Sequence, residues 1–162
     1  MTEDDVTDLA RALGRKCLRK RVVLATAESC TGGGVATAIT RISGSAKWFD
    51  RGFVTYSNDA KREMLGVSAV TLRRRGAVSE EVAREMALGA LRHSPADVCV
   101  SITGIAGPTG GSRSKPVGLV WFAWASRGGP VQSRRFRFRG NRVAVRIQSV
   151  AVALRGLTDL LG

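Results

Sequence analysis

The sequence predicts an α/β fold, a single compact domain whose mixed β-sheet is covered by helices. Short apolar runs typical of buried strands alternate with segments whose apolar residues recur at helical spacing. Two of these runs lead directly into glycine-rich turns, as strands do at the start of an α/β unit. The 162 residues are 44% hydrophobic, which suits one domain with a substantial core. We therefore predict one domain over residues 1–162.

The first half of the chain begins with a predicted helix from Glu3 to Lys20. Its first turn is acidic and its last turn is basic, as the helix dipole favours. The apolar run VVLAT that follows predicts a buried strand, and a polar glycine-rich turn separates it from the next helix. The remaining predictions of this half are the strand Val22–Thr26, the helix Val35–Ile42, the strand Phe53–Tyr56 and the helix Ala60–Leu65, ended by Gly66.

In the second half of the chain, the pattern predicts two longer helices, one before and one after three strands. Ser79 is the expected N-cap of an amphipathic helix from Glu80 to Arg92. The alternation RFRFR over Arg135–Arg139 is typical of a half-buried strand near the edge of a sheet. The other predictions are the strands Val98–Ile102 and Val117–Ala125 and a C-terminal helix within Asn141–Leu161.

Composition excludes several classes of protein. No apolar run approaches the roughly 20 residues that a membrane span needs. The acidic N-terminus does not fit a secretory signal peptide. Cys17, Cys30 and Cys99 are too widely separated for a metal site, and their odd number argues against a disulfide framework. These features favour a cytoplasmic protein without a membrane partner, a metal or another cofactor.

The net charge of +13 allows two interpretations. A positive surface attracts nucleic acid, but the basic residues are scattered and no nucleic-acid-binding motif accompanies them. A positive field also attracts small phosphorylated molecules. We prefer this second interpretation and keep nucleic acid as the less favoured partner.

Two glycine-rich loops, Glu28–Gly34 and Thr103–Gly111, each follow a predicted buried strand. Glycines allow backbone N–H groups to approach an anion closely, and ligands of α/β sheets bind where strands end in loops. Hydroxyls of Ser29, Thr31 and Thr103 stand beside those amides. We expect the loops to converge on one phosphate-bearing ligand, although each loop alone is equally explained as a tight turn.

The segment Gly44–Lys61 adds groups that transfer protons. Tyr56 ends a predicted strand, and Lys61 follows about one helical turn later. A partly buried lysine can lose its proton near neutral pH and act as a base. The alternative interpretation is a surface lysine beside a tyrosine at the edge of the core, with no catalytic role. The only histidine, His93, lies away from both loops, so the sequence does not predict a Ser-His-Asp triad there.

Five segments together resemble one known family. They are TAESCTGG (26–33), WFDRGFVTYSNDAK (48–61), GAVSEEVAREMALGAL (76–91), SITGIAGPTGG (101–111) and KPVGLVWFA (115–123). In this order and spacing they resemble the CinA C-terminal domain, the nicotinamide-nucleotide amidohydrolase family, in its single-domain form. The resemblance implies conversion of nicotinamide mononucleotide to nicotinate mononucleotide and ammonia, without a metal or cofactor, by a homodimer or larger assembly.

The resemblance also implies roles for individual residues. Tyr56 and Lys61 match the residues that assist a nucleophilic serine, while Ser29 and Thr103 match residues that position the amide or its oxyanion. The residues expected to bind the nucleotide are Cys30, Thr31, Gly32, Gly33, Ser45, Gly104, Ile105, Ala106, Gly107, Gly110, Gly111 and Arg142.

Position 46 departs from the family. The family pattern reads Gly-Ser-Ser with the second serine as the nucleophile, but this chain reads Gly44-Ser45-Ala46. Loss of a nucleophile lowers a rate by several orders of magnitude. Three explanations stay open: an introduced substitution, an impaired relative that still binds nucleotide, or another group such as Ser45, Cys30 or a water activated by Lys61. A competence- or DNA-damage-associated interaction protein without catalysis is the alternative function.

Overall fold

Helices and strands alternate along the chain, and the structure, a computed structural model, describes every residue from 1 to 162. The helices are α1 (Glu3–Lys20), α2 (Gly34–Thr40), α3 (Asn58–Leu65), α4 (Ala69–Arg75), α5 (Glu80–Arg92) and α6 (Arg142–Leu161), with a 3₁₀ turn at Ser45–Lys47. The strands are β1 (Leu24–Glu28), β2 (Phe49–Val54), β3 (Val98–Gly104), β4 (Leu119–Ser126) and β5 (Val131–Arg137). This organisation confirms the predicted α/β class with a mixed sheet covered by helices.

The five strands form one sheet in the order β2-β1-β3-β4-β5. The central strand pair β1 and β3 is parallel, and β2 lies parallel to β1 on its other side. Strand β4 is antiparallel to both β3 and β5. Because β5 is the last strand in the order, it is an edge strand, as the RFRFR pattern predicts. Consequently the carboxyl ends of β1, β2 and β3 meet at one end of the sheet, where the loops that follow them lie side by side.

The two faces of the sheet carry side chains of different size. Larger apolar residues, such as Ile102 and Phe122, pack with α1, α2 and α6 on one face. The other face presents small residues, among them Ala25 and Ala123, to α5. Small side chains let α5 lie close to the sheet. Gly89 of α5 allows a close approach to α3, since a Cβ there would stand 2.0 Å from the carbonyl oxygen of Leu65.

Local capping explains why two helix boundaries are predicted correctly. Thr2 and Asp5 form a reciprocal capping box that starts α1, and Ser79 accepts a hydrogen bond from the backbone N–H of Val82 at the start of α5. Asn141 caps α6 in the same way through Ala144. None of the helices combines the length and apolar content that crossing a bilayer requires.

Strand boundaries are where the predictions are wrong. Strand β1 begins two residues later than expected, because the N–H of Val22 bonds back to Cys17 of α1 and that of Val23 bonds to Asp97. It then continues to Glu28, which pairs with both neighbouring strands. Strand β2 runs from Phe49 to Val54 rather than from Phe53 to Tyr56. The exposed polar residues at the start of this edge strand conceal it in the sequence.

The other differences are smaller, except for one missed element. Helix α4 was not predicted, because its segment AVTLRRR is short and strongly basic; Ser68 caps it. The remaining predicted bounds shift by a few residues: the helix predicted at 35–42 is 34–40, that at 60–65 is 58–65, and the strands predicted at 98–102, 117–125 and 135–139 are 98–104, 119–126 and 131–137.

Candidate active site

A cavity of about 260 Å³ lies at the carboxyl ends of β1 and β3. The first loop follows β1 and the second follows β3, and the backbone N–H of Ser29 donates to the carbonyl of Ile102 at 2.9 Å, which joins the two strand ends. The structure therefore brings both glycine-rich loops to one cavity. The predicted residues that line it are Ser29, Cys30, Tyr56, Lys61, Thr103, Gly104, Ile105, Ala106, Gly107, Gly110 and Arg142.

Lys61 is buried at the base of this cavity. Its side chain is 1% exposed, and Nζ donates to Ser29 Oγ at 3.0 Å and to the carbonyl of Thr55 at 2.8 Å. No carboxylate lies within salt-bridge distance of Nζ. Burial lowers the pKa of Lys61 below its ordinary value of 10.5. Burial thus favours the uncharged amine, and an amine in that form beside a serine hydroxyl can accept its proton.

Ser29 occupies the first position after β1, where the chain turns from the sheet towards α2. Only 8% of the residue is exposed, and its hydroxyl lines the cavity beside the Lys61 amine. The hydrogen bond to Ile102 fixes its backbone at the end of the strand. The position resembles other strand-to-helix turns that present a nucleophile above a sheet.

Glu28 determines the shape of the turn that carries Ser29. Its fully buried carboxylate accepts three hydrogen bonds: from Thr31 Oγ1 at 2.6 Å, from the N–H of Val35 at 2.9 Å and from the N–H of Ala36 at 3.0 Å. The N-cap of α2 is Gly33, which has no side chain to bond these amides. Glu28 therefore caps α2 from the preceding strand. Sequence reasoning assigned no role to Glu28, although an acid at the end of an apolar strand was a usable signal.

Tyr56 and Arg142 close one side of the cavity. Tyr56 is 60% exposed, and its Oη accepts a hydrogen bond from Nη2 of Arg142 at 2.8 Å. Nη1 of the same guanidinium donates to the carbonyl of Gly107 at 2.7 Å. Arg142 is the first residue of α6, so this helix joins the tyrosine to the second loop. Because Tyr56 Oη accepts from the arginine, its own proton is free to be donated into the cavity.

Two polar side chains of the cavity are less available than their residue types suggest. Thr103 is almost completely buried, and its hydroxyl donates to the carbonyl of Ala77 at 2.8 Å. Burial raises the pKa of the Cys30 thiol to about 12. Burial thus disfavours the thiolate of Cys30, whose side chain lies in the cavity wall.

The predicted residues of the first loop that follow Cys30 do not line this cavity. Thr31 and Gly32 border a second cavity on the other side of the loop, and Gly33 serves as the N-cap of α2 with φ 97°. Gly111 follows the cavity-lining part of the second loop without contributing to the wall. A Cβ at Gly111 would lie 2.8 Å from Val117, so this glycine allows a close approach within the loop.

Ser45 and Ala46 lie at the opposite end of the sheet. They belong to the 3₁₀ turn that precedes β2, whereas Lys61 and Tyr56 follow the same strand. At a rise of about 3.3 Å per residue, the six residues of β2 separate the two ends of the strand by roughly 17 Å. Ser45 is buried and Ala46 is exposed to solvent. Within one chain, the structure therefore does not bring position 46 to the cavity.

Sequence reasoning missed four residues of the wall, which are Asn58, Ala77, Val78 and Thr109. Asn58 begins α3, the helix that carries Lys61, so its place next to the predicted site could have been found from the motif. Ala77 and Val78 come from the turn between α4 and α5, which is far from the loops in sequence. No group of three or more His, Cys, Asp or Glu side chains is arranged to hold a metal ion.

The fold and the cavity together define a class: an α/β domain with a serine and a buried lysine at the carboxyl end of a mixed sheet. The model of the CinA C-terminal domain family matches residues 6–161 of the chain. The chain belongs to this family, which confirms the resemblance carried by its motifs.

Characterised relatives extend over nearly the whole chain. A protein of Escherichia coli strain K12 named nicotinamide-nucleotide amidohydrolase PncC is 54% identical over 97% of this chain and 95% of its own length. The protein of the same name from Pseudomonas putida is 51% identical over 97% of this chain and 98% of its own length. The crystal structure of the competence/damage inducible protein CihA from Agrobacterium tumefaciens superposes with a TM-score of 0.96 at 48% identity, covering 98% of this chain and 96% of that one.

Proposed function

We propose that this protein is a nicotinamide-nucleotide amidohydrolase that converts nicotinamide mononucleotide to nicotinate mononucleotide and ammonia. The observation that carries the proposal is the 3.0 Å hydrogen bond between Lys61 Nζ and Ser29 Oγ inside the cavity. A lysine amine whose pKa is lowered by burial, in contact with a serine hydroxyl, fits hydrolysis of a carboxamide. The relatives named as amidohydrolases of this nucleotide, at 51–54% identity, supply the substrate.

The proposed reaction begins with attack of Ser29 Oγ on the carboxamide carbon while Lys61 Nζ takes the hydroxyl proton. The tetrahedral intermediate then collapses, the carbon–nitrogen bond breaks, and Lys61 returns the proton to the leaving nitrogen as ammonia forms. The product of this half-reaction is an ester on Ser29. Water, deprotonated by Lys61, attacks the ester carbon, and the proton returns to Ser29 when the carbon–oxygen bond breaks, which releases the acid.

This assignment gives Ser29 the role that the family pattern gives to position 46. Ala46 has no hydroxyl, and one chain places it at the far end of β2. Ser29 is the hydroxyl that Lys61 contacts directly. This contact supports Ser29 as the nucleophile with Lys61 as its base, and on this proposal the chemistry does not need a serine at position 46.

Tyr56 is our proposed donor to the oxyanion or to the leaving nitrogen. Its Oη accepts from Arg142, so the phenolic proton can point towards the substrate. A donor placed at a developing oxyanion contributes about 3 kcal/mol to catalysis. The hydroxyl of Thr103 donates to the carbonyl of Ala77, so we assign this residue to the cavity wall.

The phosphate and ribose of the substrate require a positive, polar part of the cavity. Arg142 lines the wall together with Asn58, Thr109 and Gly110. Between Asp97 and Asp159 the sequence contains no acidic residue, so the second loop and α6 lie in a positive field. We propose that these residues bind the phosphate end, with the nicotinamide ring directed towards Lys61.

We also propose a cytoplasmic homodimer. All three cysteines are free and buried, as suits a reducing compartment. Edge strand β5 leaves its outer hydrogen-bonding groups unpaired within one chain, which offers one surface for pairing. Light scattering of the purified protein tests the assembly: a mass of one chain at micromolar concentration would contradict it.

The experiment that tests the function is ammonia release from nicotinamide mononucleotide, followed together with the appearance of the acid. The wild-type chain is expected to turn over without added metal and to retain its rate in a chelator. Nicotinamide riboside, which lacks the phosphate, is the matched control and should react with a much lower kcat/KM. Absence of turnover with the mononucleotide at substrate concentrations up to the millimolar range would contradict the proposal.

A further inference from the structure

A second cavity, of about 270 Å³, lies on the other side of the first glycine-rich loop. It is bordered by the starts of α1 and α6 and by one side of α2, and it shares no residue with the candidate active site. Its volume is close to that of the catalytic cavity and lies near the lower limit for ligand sites. A cavity of this size suits a ligand smaller than a typical drug molecule.

The polar part of this cavity contains one uncompensated positive charge. Arg41 pairs with Glu3 at 3.2 Å, so these two charges compensate one another. Arg146 has no carboxylate within salt-bridge distance and donates only to backbone carbonyls, from Nε to Cys30 and from Nη2 to Thr31, both at 3.2 Å. Its Nη1 makes no hydrogen bond in the chain. A half-buried guanidinium with free donors favours an anion.

The rest of the lining is predominantly apolar. Val6, Ile147 and Val150 come from the inner faces of α1 and α6, and Val143 stands at the mouth with 71% of its surface exposed. An apolar lining beside a single free guanidinium suits a ligand with one negative charge and an apolar body. A phosphate dianion would leave one charge uncompensated next to Glu3, so a carboxylate fits better.

We propose that this second cavity is a binding site for a small monocarboxylate with an apolar body. The carboxylate binds Nη1 of Arg146, and the ring or chain lies against Val143 and Ile147. Because Arg146 also holds the carbonyls of Cys30 and Thr31, the ligand contacts the loop that carries Ser29. The proposal concerns binding alone and does not depend on the amidohydrolase activity.

Calorimetric titration with benzoate, with benzamide as the uncharged control of the same shape, tests the site. One benzoate should bind per chain, and benzamide should bind at least about tenfold more weakly, since a charge-assisted hydrogen bond is lost. Equal affinity of the two compounds, or no benzoate binding at millimolar concentration, would overturn the proposal.

Four variants locate the bound benzoate. Val143→Trp, on an exposed position of α6, should fill the mouth and weaken binding about tenfold or more, whereas Val143→Ala should preserve it. Arg146→Met should remove the preference for benzoate over benzamide. Ser29→Ala should bind benzoate like the wild type. A loss of binding in Ser29→Ala, or an unchanged affinity in Val143→Trp, would place benzoate elsewhere and reject the site.

Discussion

Replacement of Ser29 by alanine tests the catalytic assignment most directly, with Ala46→Ser as its counterpart. Ser29 Oγ lies 3.0 Å from Lys61 Nζ, within the range of a direct proton transfer. Position 46 is exposed and separated from Lys61 by the roughly 17 Å length of β2. If Ser29 is the nucleophile, removing its hydroxyl removes the covalent step, while adding a hydroxyl at position 46 adds nothing to it.

The expected magnitudes differ strongly between the two variants. Loss of a nucleophile that works with a base lowers kcat by roughly 10⁴- to 10⁶-fold, which corresponds to about 5 to 8 kcal/mol of transition-state stabilisation. The stability of Ser29→Ala should fall by only about 1 kcal/mol, the contribution of one hydrogen bond. Ala46→Ser, on an exposed turn, should change kcat less than about twofold and stability by less than about 0.5 kcal/mol.

The assay is single-turnover and steady-state release of ammonia from nicotinamide mononucleotide. Binding of the substrate to Ser29→Ala, measured by calorimetry, is the control that separates chemistry from affinity, and it should be retained. Activity of Ser29→Ala above one-tenth of the wild type would refute the assignment. A tenfold gain in Ala46→Ser would also refute it, since position 46 would then reach the substrate, and only a second copy of the chain could supply that contact.

Three further outcomes follow from the geometry of the site. The value of kcat/KM should rise with pH through the lowered pKa of Lys61 and level off above it, because the neutral amine is the base; a flat profile would exclude this role. Glu28→Gln should leave an amide of α2 without an acceptor, lower the free energy of unfolding by about 1 to 3 kcal/mol and reduce kcat more than it changes KM, as calorimetric melting and kinetics can show. Tyr56→Phe should lower kcat by roughly 10²-fold with an unchanged melting temperature, since this side chain is largely exposed; a rate equal to that of the wild type would remove Tyr56 from the chemistry.

The sequence predicted the meeting of the loops because strand direction alone brings them together. Strands β1 and β3 are separated by about seventy residues, but both are apolar and both end in glycine-rich loops, and parallel neighbours place their carboxyl ends together. Tyr56 and Lys61 follow β2, the third strand of the same parallel set. Their arrival at the cavity therefore follows from the topology, which the α/β pattern suggested.

The sequence could not predict which hydroxyl contacts the lysine. Ser29, Thr31, Ser45 and Thr103 look alike as residue types near glycines, and their hydrogen bonds depend on side-chain directions fixed only in the folded chain. The structure separates them, since the hydroxyl of Thr31 bonds Glu28, that of Thr103 bonds Ala77, and that of Ser29 accepts from Lys61. Likewise, the start of the exposed edge strand β2 is hidden in the sequence because Asp50, Arg51 and Gly52 interrupt its apolar residues.

Glu28 and Lys61 are two buried ionisable side chains near one serine, and they differ in how well their charged forms are stabilised by hydrogen bonds. The carboxylate of Glu28 has three donors and is fully compensated, so it belongs to the scaffold. The amine of Lys61 has two acceptors for its three protons when charged and no acid nearby, so burial favours its neutral form. At pH values between the lowered pKa of Lys61 in the folded chain and 10.5, the unfolded chain binds more protons than the folded chain. The contribution of Lys61 to the free energy of unfolding therefore rises with pH. At lower pH the charged amine destabilises the fold, so the unfolding free energy of the wild type relative to that of Lys61→Met should rise with pH, and the variant should lose activity. If Lys61 is the base proposed above, the site retains a buried amine without an acid partner because such an amine can accept the proton of Ser29.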